Sequence, residues 1–438
     1  MYIYEEEIEI PAVAGHINLL DHLRSTVSDL LEGDRFPVRL TITETRKNSY
    51  KCEIGVIADM LDSSIKHTCS IFDFKKRPSV NNQSFNAVLL IPTGIGSSIG
   101  GHAGDANPVA KLLGSVCDTL ITHPNVVNAS DINELPVNGL YVEGSIISRL
   151  LMGTLGLQPV RANRVLTIVN KHNEKEFTDA VINSVNAART SYGLDCPKVI
   201  ELDPPVILES LYASSGRAVG RVTRIQTLIE TLDKYHRDYD AVALSTQIEM
   251  PFNYHTDYYT KRGDMINPWG GVEAIFTHSI SSLYDIPAAH APLDSSKEVA
   301  SLKLGVVDPR MAAEVISEAY FLCVLKGLQR APKIIKDIQH SVPAGVLTAT
   351  DISCLVIPDG CIGLPTLAAL EQGIPVIAVR ENKNIMQNEL GALPWQSGQL
   401  HIVDNYWEAA GVMSALKNGI TPESVRRPFD SASFHREQ

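Results

Sequence analysis

The chain has 438 residues, 44% of them hydrophobic and 20% charged, with a formal net charge of −12. That length implies two or three domains, and the composition is that of a globular protein with apolar mass for more than one core. The acidic balance argues against a nucleic-acid partner, whose grip on phosphates comes from lysine and arginine, and no apolar window of about 18 residues signals a membrane span.

The N-terminus has no basic stretch leading into an apolar one, so no secretory signal is read. The seven cysteines, Cys52, Cys69, Cys117, Cys196, Cys323, Cys354 and Cys361, are scattered and form no Cys-x-x-Cys pair. Neither a disulfide framework nor a cysteine zinc site is expected, and a cytoplasmic location is.

Residues 1–84 read as a small α+β unit. "HINLLDHLRSTVSDLLEG" has helical spacing and ends on Gly33, while "FPVRLTITET" and "SYKCEIGVIA" alternate like half-buried strands. "KKRPSVNNQSF" is a polar linker. Residues 85–240 then read as a Rossmann-like α/β domain with a glycine-rich loop, 241–428 as a second α/β domain, and 429–438 as a tail. "NAVLLIP", "RVLTIV", "KVIEL", "AVALS", "CLVIP" and "PVIAV" are short apolar runs of the kind buried on both faces of a parallel sheet. Helical segments such as "EFTDAVINSVNAARTSYG" and "VTRIQTLIETLDKYHRDY" separate several of them. The expected fold class is therefore α/β: two Rossmann-like parallel-sheet domains with a cleft between them, preceded by the small N-terminal unit. In such folds ligands sit outside the carboxyl ends of the strands.

The first loop to weigh is "IPTGIGSSIGGHAGDANPVAKLL", which begins at Ile91. Thr93, Gly94, Gly96, Gly100 and Gly101 precede a helix, where free amides and the helix dipole suit a phosphate or carboxylate. The spacing is one residue longer than the dinucleotide fingerprint, and the Gly-Lys-Ser/Thr ending of a P-loop is absent. His102 and Asp105 lie among these glycines as candidate acid/base residues; loop capping is the plainer alternative.

"CDTLITHPNVVNASDINELPVNGLYVEG" follows, with His123, Asn125 and Asn128 at the end of a probable strand and Glu143 near its close. Its amides and carboxylates point to a polar pocket, though Asx turns explain asparagines as well. In "YASSGRAVGRV", a Ser-Ser-Gly-Arg turn opening a helix offers Arg217 as a fork donor for an anion, and ordinary N-capping by Ser214 or Ser215 explains the serines equally well. "NPWGGVEAIFTHSISSLYDIPAAHAP" joins Asn267, Glu273, His278 and His290. Two histidines and a glutamate leave a divalent metal open, although their spacing matches no ligand motif, and no cofactor is assigned. Asp308 and Pro309 look like the start of a helix running through "DPRMAAEVISEAYFLCVLKGL", with Arg310 and Glu314 as an (i, i+4) pair. In "CLVIPDGCIGLPTLAALEQGIPVIAV", Asp359 and Cys361 occupy a strand-to-helix loop, where a thiol can become a nucleophile; a small buried apolar group is the alternative.

The glycine loop, the His123 run, the Asn267–His290 run and the Asp359 segment together resemble a bacterial family catalogued only as a domain of unknown function, DUF-3326. The resemblance covers the chain from about Phe85 to Pro428 and implies no activity. At the level of fold, "GGHAGDANPVAKLL" and "GLPTLAALEQGIPVIAV" are similar to segments of the glycosyltransferase-B and sugar-nucleotide epimerase class, which would make Glu371 a ribose contact.

The residues point to an enzyme acting on a small polar, anionic metabolite by hydrolysis or elimination. The glycine loop and Arg217 hold the anion, His102, His123 or His290 moves protons, Asp105 or Asp359 orients a histidine, and Cys361 is the candidate nucleophile. The alternatives are a nucleotide-sugar transferase or epimerase and a non-catalytic small-molecule sensor. A small-molecule substrate is the expected partner, with neither nucleic acid nor membrane, and a homo-oligomer is left open.

Overall fold

The computed structural model describes residues 1–13, 18–31, 34–60, 70–261, 265–317, 319–336, 338 and 342–436. It is a mixed α/β structure built on two large sheets. The first has six parallel strands in the order Leu400–Val403, Val376–Val379, Ile352–Pro358, Asn86–Leu89, Thr119–Thr122 and Gly139–Tyr141. Counted along the chain, these strands lie in the order 6-5-4-1-2-3, which is the doubly wound arrangement. Every residue of Asn86–Leu89 and of Val376–Val379 is buried, because such a sheet is covered on both faces. The winding reverses between Asn86–Leu89 and Ile352–Pro358, so the loops after these two strands flank the switch point.

The second sheet has ten strands and is mixed. Val199–Leu202, Val165–Asn170, Ala241–Glu249 and Ala288–Leu293 are parallel neighbours. The end of Ala241–Glu249 also pairs with Ile207–Tyr212. From there an antiparallel series continues through Ala218–Thr223, Tyr2–Pro11, Ser49–Ala58, Phe36–Thr45 and the two-residue strand Ile362–Gly363. One sheet thus has the doubly wound order, and a mixed sheet stands where a second Rossmann-like sheet was expected. A buried parallel strand reads alike in sequence whichever sheet it joins, and the sheet order is set by long-range pairing.

Sheet membership also crosses the segment limits read from composition. Residues 2–58 contribute three strands to the sheet of residues 165–293. Residues 86–141 and 352–403 share the parallel sheet. The two sheets meet at one seam, where Ile362 and Gly363, just past the switch-point strand, pair with Ile42 and Thr41.

Two local expectations are corrected. "YASSGRAVGRV" is the turn of a hairpin between Ile207–Tyr212 and Ala218–Thr223, and the helix starts only at Gln226. Antiparallel pairing with Ile207–Tyr212, from Tyr212 opposite Ala218 to Ile207 opposite Thr223, decides for strand. The long helix expected from Asp308 is also absent: a short 3-10 turn, Ala312–Glu314, precedes the helix Leu322–Gln329. Arg310 pairs with Asp308, and Glu314 is taken by a different set of partners.

Candidate functional site

A cavity of about 510 Å³ lies between the two sheets. Loops after four strands of the parallel sheet line it, through Thr93, His123, Glu143 and Cys361 with their neighbours. The mixed sheet adds Val38–Thr41 and Ala289–Asp294, and the helix Gly270–Tyr284 adds Glu273, Thr277 and His278. The cavity therefore sits where the doubly wound order places a ligand, at the carboxyl ends beside the switch point.

Two histidine–glutamate pairs dominate its chemistry. Glu143, the N-cap of the helix Gly144–Leu151, is 3% exposed, and its Oε1 accepts from His278 Nδ1. Its Oε2 accepts from the Ser145 amide at 2.9 Å and from the Ser145 hydroxyl. Burial pushes this carboxyl up, but His278 and Ser145 outweigh burial and hold it below the ordinary carboxylate range. Among the described residues His278 Nε2 has no hydrogen-bond partner, and the side chain keeps 16% exposure in the cavity. A buried carboxylate thus fixes the imidazole through Nδ1 and leaves Nε2 to face a ligand, the arrangement of an oriented general acid or base.

In the second pair His290 Nδ1 lies 2.9 Å from Glu273 Oε1, and His290 Nε2 lies 2.9 Å from Thr246 Oγ1. The His290 side chain is fully buried, whereas that of Glu273 is 26% exposed. Both ring nitrogens of His290 are engaged, so the carboxylate is the member with free lone pairs on the cavity. Both residues line the cavity, with Glu273 the more exposed and His290 packed behind it.

His123 also lines the cavity. Its Nε2 accepts from the Ile91 amide at 3.1 Å, which puts the proton on Nδ1. Burial lowers its pKa to about 4, with the Glu143 charge opposing. A neutral imidazole with a fixed N–H is a hydrogen-bond donor to a developing oxyanion, not a base.

The other candidates are distributed as follows. Thr93 donates to the Gly270 carbonyl at 3.0 Å. Asn125 donates to the Ile91 and Gly100 carbonyls, and Asn128 joins Tyr141 and Asn133. Asn267 caps the start of the Gly270 helix through the Trp269 and Gly270 amides. All four line the cavity while holding its wall together. Cys361 lines it too, but burial raises its thiol far above the ordinary range and Asp359 adds to the rise, the opposite of an activated nucleophile.

Gly94, Gly96, Gly100, Gly101, His102, Asp105, Arg217 and Asp359 are not among the lining residues. The glycines pack the loop against its neighbours: Gly100 has φ +82°, and a Cβ there would come within 2.7 Å of Ile91. Arg217 is fully buried, with Nη2 2.6 Å from Glu5 and Nε bonded to Glu53. It clamps the hairpin turn to the N-terminal strands. Asp359 accepts from the Gly360 amide at 2.9 Å. Glu371 accepts from Asn18 at 3.0 Å, also away from the cavity lining.

His102 and Asp105 belong to a second titratable cluster that reaches the cavity through Glu314. His102 Nδ1 lies 2.7 Å from the Tyr258 hydroxyl, which donates to Glu314 Oε1 at 3.0 Å. The Ala103 amide also donates to Glu314. Burial pushes the Glu314 carboxyl up to about 8 and the Asp105 carboxyl up to about 7. Burial lowers His102 to about 4. For Glu314, the folded value of about 8 exceeds the ordinary 4.5. Its contribution to stability is therefore fully present below about pH 4.5 and lost as the pH rises through about 8. His102 and His123 act with the opposite sign, since their neutral forms are favoured on folding and stability falls as the pH drops from 6.5 toward about 4. Glu314→Gln should flatten the alkaline limb of a melting-temperature profile between pH 5 and 8 and leave the acid limb in place; an unchanged alkaline limb would assign it to other groups.

A family described as "Protein of unknown function (DUF3326)" matches residues 86–426. The chain belongs to this family. It is also 32% identical over 355 residues to an uncharacterised lipoprotein from Synechococcus sp. (strain ATCC 27144 / PCC 6301 / SAUG 1402/1), covering 78% of this chain and 94% of the relative. No solved structure matches the chain. The matched span contains both histidine–glutamate pairs and His123, whereas Val38–Thr41, which close the cavity over the seam, precede it. No described helix is long and apolar enough to cross a membrane. Among the described residues no three His, Cys, Asp or Glu side chains cluster in a way that would hold a metal ion.

The residues missed in sequence are Glu143 and His278 as a pair, and Arg39 and Arg149 on the cavity wall. Glu143 and His278 are 135 positions apart, so no local spacing joins them. Each stands in a polar run that composition does single out.

Proposed function

We propose that the cavity is the active site of an acid–base enzyme of the hydrolase or lyase type, acting on a small polar metabolite that carries an anionic group. One observation carries this reading: His278 Nε2 has no hydrogen-bond partner among the described residues and its side chain reaches the cavity, while buried Glu143 holds Nδ1. A rigid, oriented imidazole with one free nitrogen is expensive to build into a wall and is what proton transfer needs. The Glu273 carboxylate, on the same helix and backed by His290, supplies a second proton-transfer group. His123 Nδ1–H supplies a fixed donor for charge developing on a carbonyl or leaving oxygen. In an elimination, one group removes the proton and the other protonates the leaving oxygen; in a hydrolysis, one activates water and the other protonates the leaving group.

Cys361 has no part in this scheme. The cytoplasmic expectation rests on the cysteines, six of which are free and buried; the lipoprotein name of the Synechococcus relative points instead to a membrane-anchored chain.

The test is a turnover screen of the whole chain against 2-hydroxycarboxylates, carboxylic esters and phosphate monoesters, followed by NMR. At least one class should be turned over, and Cys361→Ser should retain that activity within about threefold. Binding without turnover across all three classes would favour a sensor, and loss of activity in Cys361→Ser would restore the thiol as nucleophile.

A further inference from the structure

The acid–base pairs leave two cations on the cavity wall unexplained. Arg39 comes from the strand Phe36–Thr45 and Arg149 from the helix that starts behind Glu143. Neither has a carboxylate to itself. The only polar contact of Arg39 among the described residues is Nη1 to Glu5 Oε1 at 3.4 Å, and the same Oε1 receives Arg217 at 2.6 Å. Arg149 Nη2 lies 2.5 Å from Asp285 Oδ1, and the other oxygen of Asp285 is taken by Lys336. Arg149 Nε and Nη1 are buried with no hydrogen-bond partner. Guanidinium groups are nearly always satisfied when buried; Arg217 Nη1 is also unpartnered but lies off the cavity lining, whereas Arg149 is on it.

The other charged groups of the wall, Glu143, Glu273, Asp294 and Glu314, make no hydrogen bond or ion pair with Arg39 or Arg149 among the described residues. Glu143 is committed to His278 and Ser145, and Glu273 to His290. Glu314 is held by Ala103, Tyr258 and Tyr259. We infer that Arg39 and Arg149 bind the anionic part of the ligand, a carboxylate or a phosphate, by the planar donor pairs that guanidinium offers to such oxyanions. This replaces the glycine loop and Arg217 as the anion holder and deepens the function proposed above, on which its link to turnover rests. It also gives the N-terminal strands a role in ligand choice, since Arg39 lies before the residues the family spans.

Calorimetric titration of the whole chain with inorganic phosphate, and separately with malonate, tests the anchor. Saturable binding of at least one ion is expected, weakened by about tenfold or more in Arg39→Gln and in Arg149→Gln. Phosphate alone binding identifies a phosphorylated ligand; malonate alone identifies a carboxylate. Arg39→Gln serves where Arg149→Gln fails to fold, because Arg149→Gln also strips Asp285 of a partner. No binding of either ion to the wild type, or equal binding to Arg39→Gln, overturns the inference. His278→Gln should bind the ion as the wild type does. If it also retained turnover, the acid–base reading would fail while the anchor stood.

Discussion

Replacing His278 with glutamine is expected to lower kcat by about 10²- to 10⁴-fold, the usual weight of one general acid or base, with little change in the unfolding temperature. The fold should tolerate the change because the side chain keeps 16% exposure and glutamine still presents an amide donor toward Glu143. The chemistry should not, because glutamine cannot take up or release a proton at Nε2. His290 provides the contrast. Its side chain is fully buried and both nitrogens are bonded, so its loss should register first in stability. A steady-state assay on a substrate found in the screen, paired with thermal unfolding, separates the two roles. Turnover unchanged in His278→Gln would remove this residue from the mechanism.

The largest stability effect is expected at Arg217. Arg217→Ala should destabilise the chain by about 3–5 kcal/mol, the cost of leaving buried carboxylates unpaired. The guanidinium is fully buried against Glu5 and Glu53, which are themselves 2% and 1% exposed in their side chains. Burial opposes the Arg217 charge, but the two glutamates outweigh it and raise its pKa, just as Arg217 and Arg39 hold Glu5 low against burial. The effect belongs to folding, so denaturant unfolding should show it with no ligand present. A ligand-binding role for Arg217 predicts the reverse, normal stability with a raised KM.

Much of the fold was legible. "FPVRLTITET" and "SYKCEIGVIA" match the strands Phe36–Thr45 and Ser49–Ala58, and "NPVAKLLGSV" holds the helix Asn107–Gly114. Local periodicity and Pro108 near the helix start suffice there. The site was legible only as neighbourhoods. The loops after Asn86–Leu89, Thr119–Thr122 and Ile352–Pro358 do reach the cavity, as the rule of carboxyl ends implies. Which side chain of a loop faces inward depends on packing. Asn125 and Asn128 were noticed for polarity and serve largely to brace the wall. Arg39 was hidden in an alternating strand, where an arginine reads as a solvent-facing position. The helix Gly270–Tyr284, more than two hundred residues away in sequence, covers its face, with Ile275 packed at Gly55, the strand partner of Arg39.

The central claim is that His278 and Glu143 work as one unit, and a double-mutant cycle on kcat/KM measures that most directly. His278→Gln, Glu143→Gln and the double variant are compared with the wild type on the same substrate. If Glu143 acts only through His278, the double variant should be about as slow as His278→Gln alone, because a carboxylate that orients an absent imidazole has nothing left to lose. Losses that multiply in the double variant would mean that the two residues act independently and would contradict the dyad.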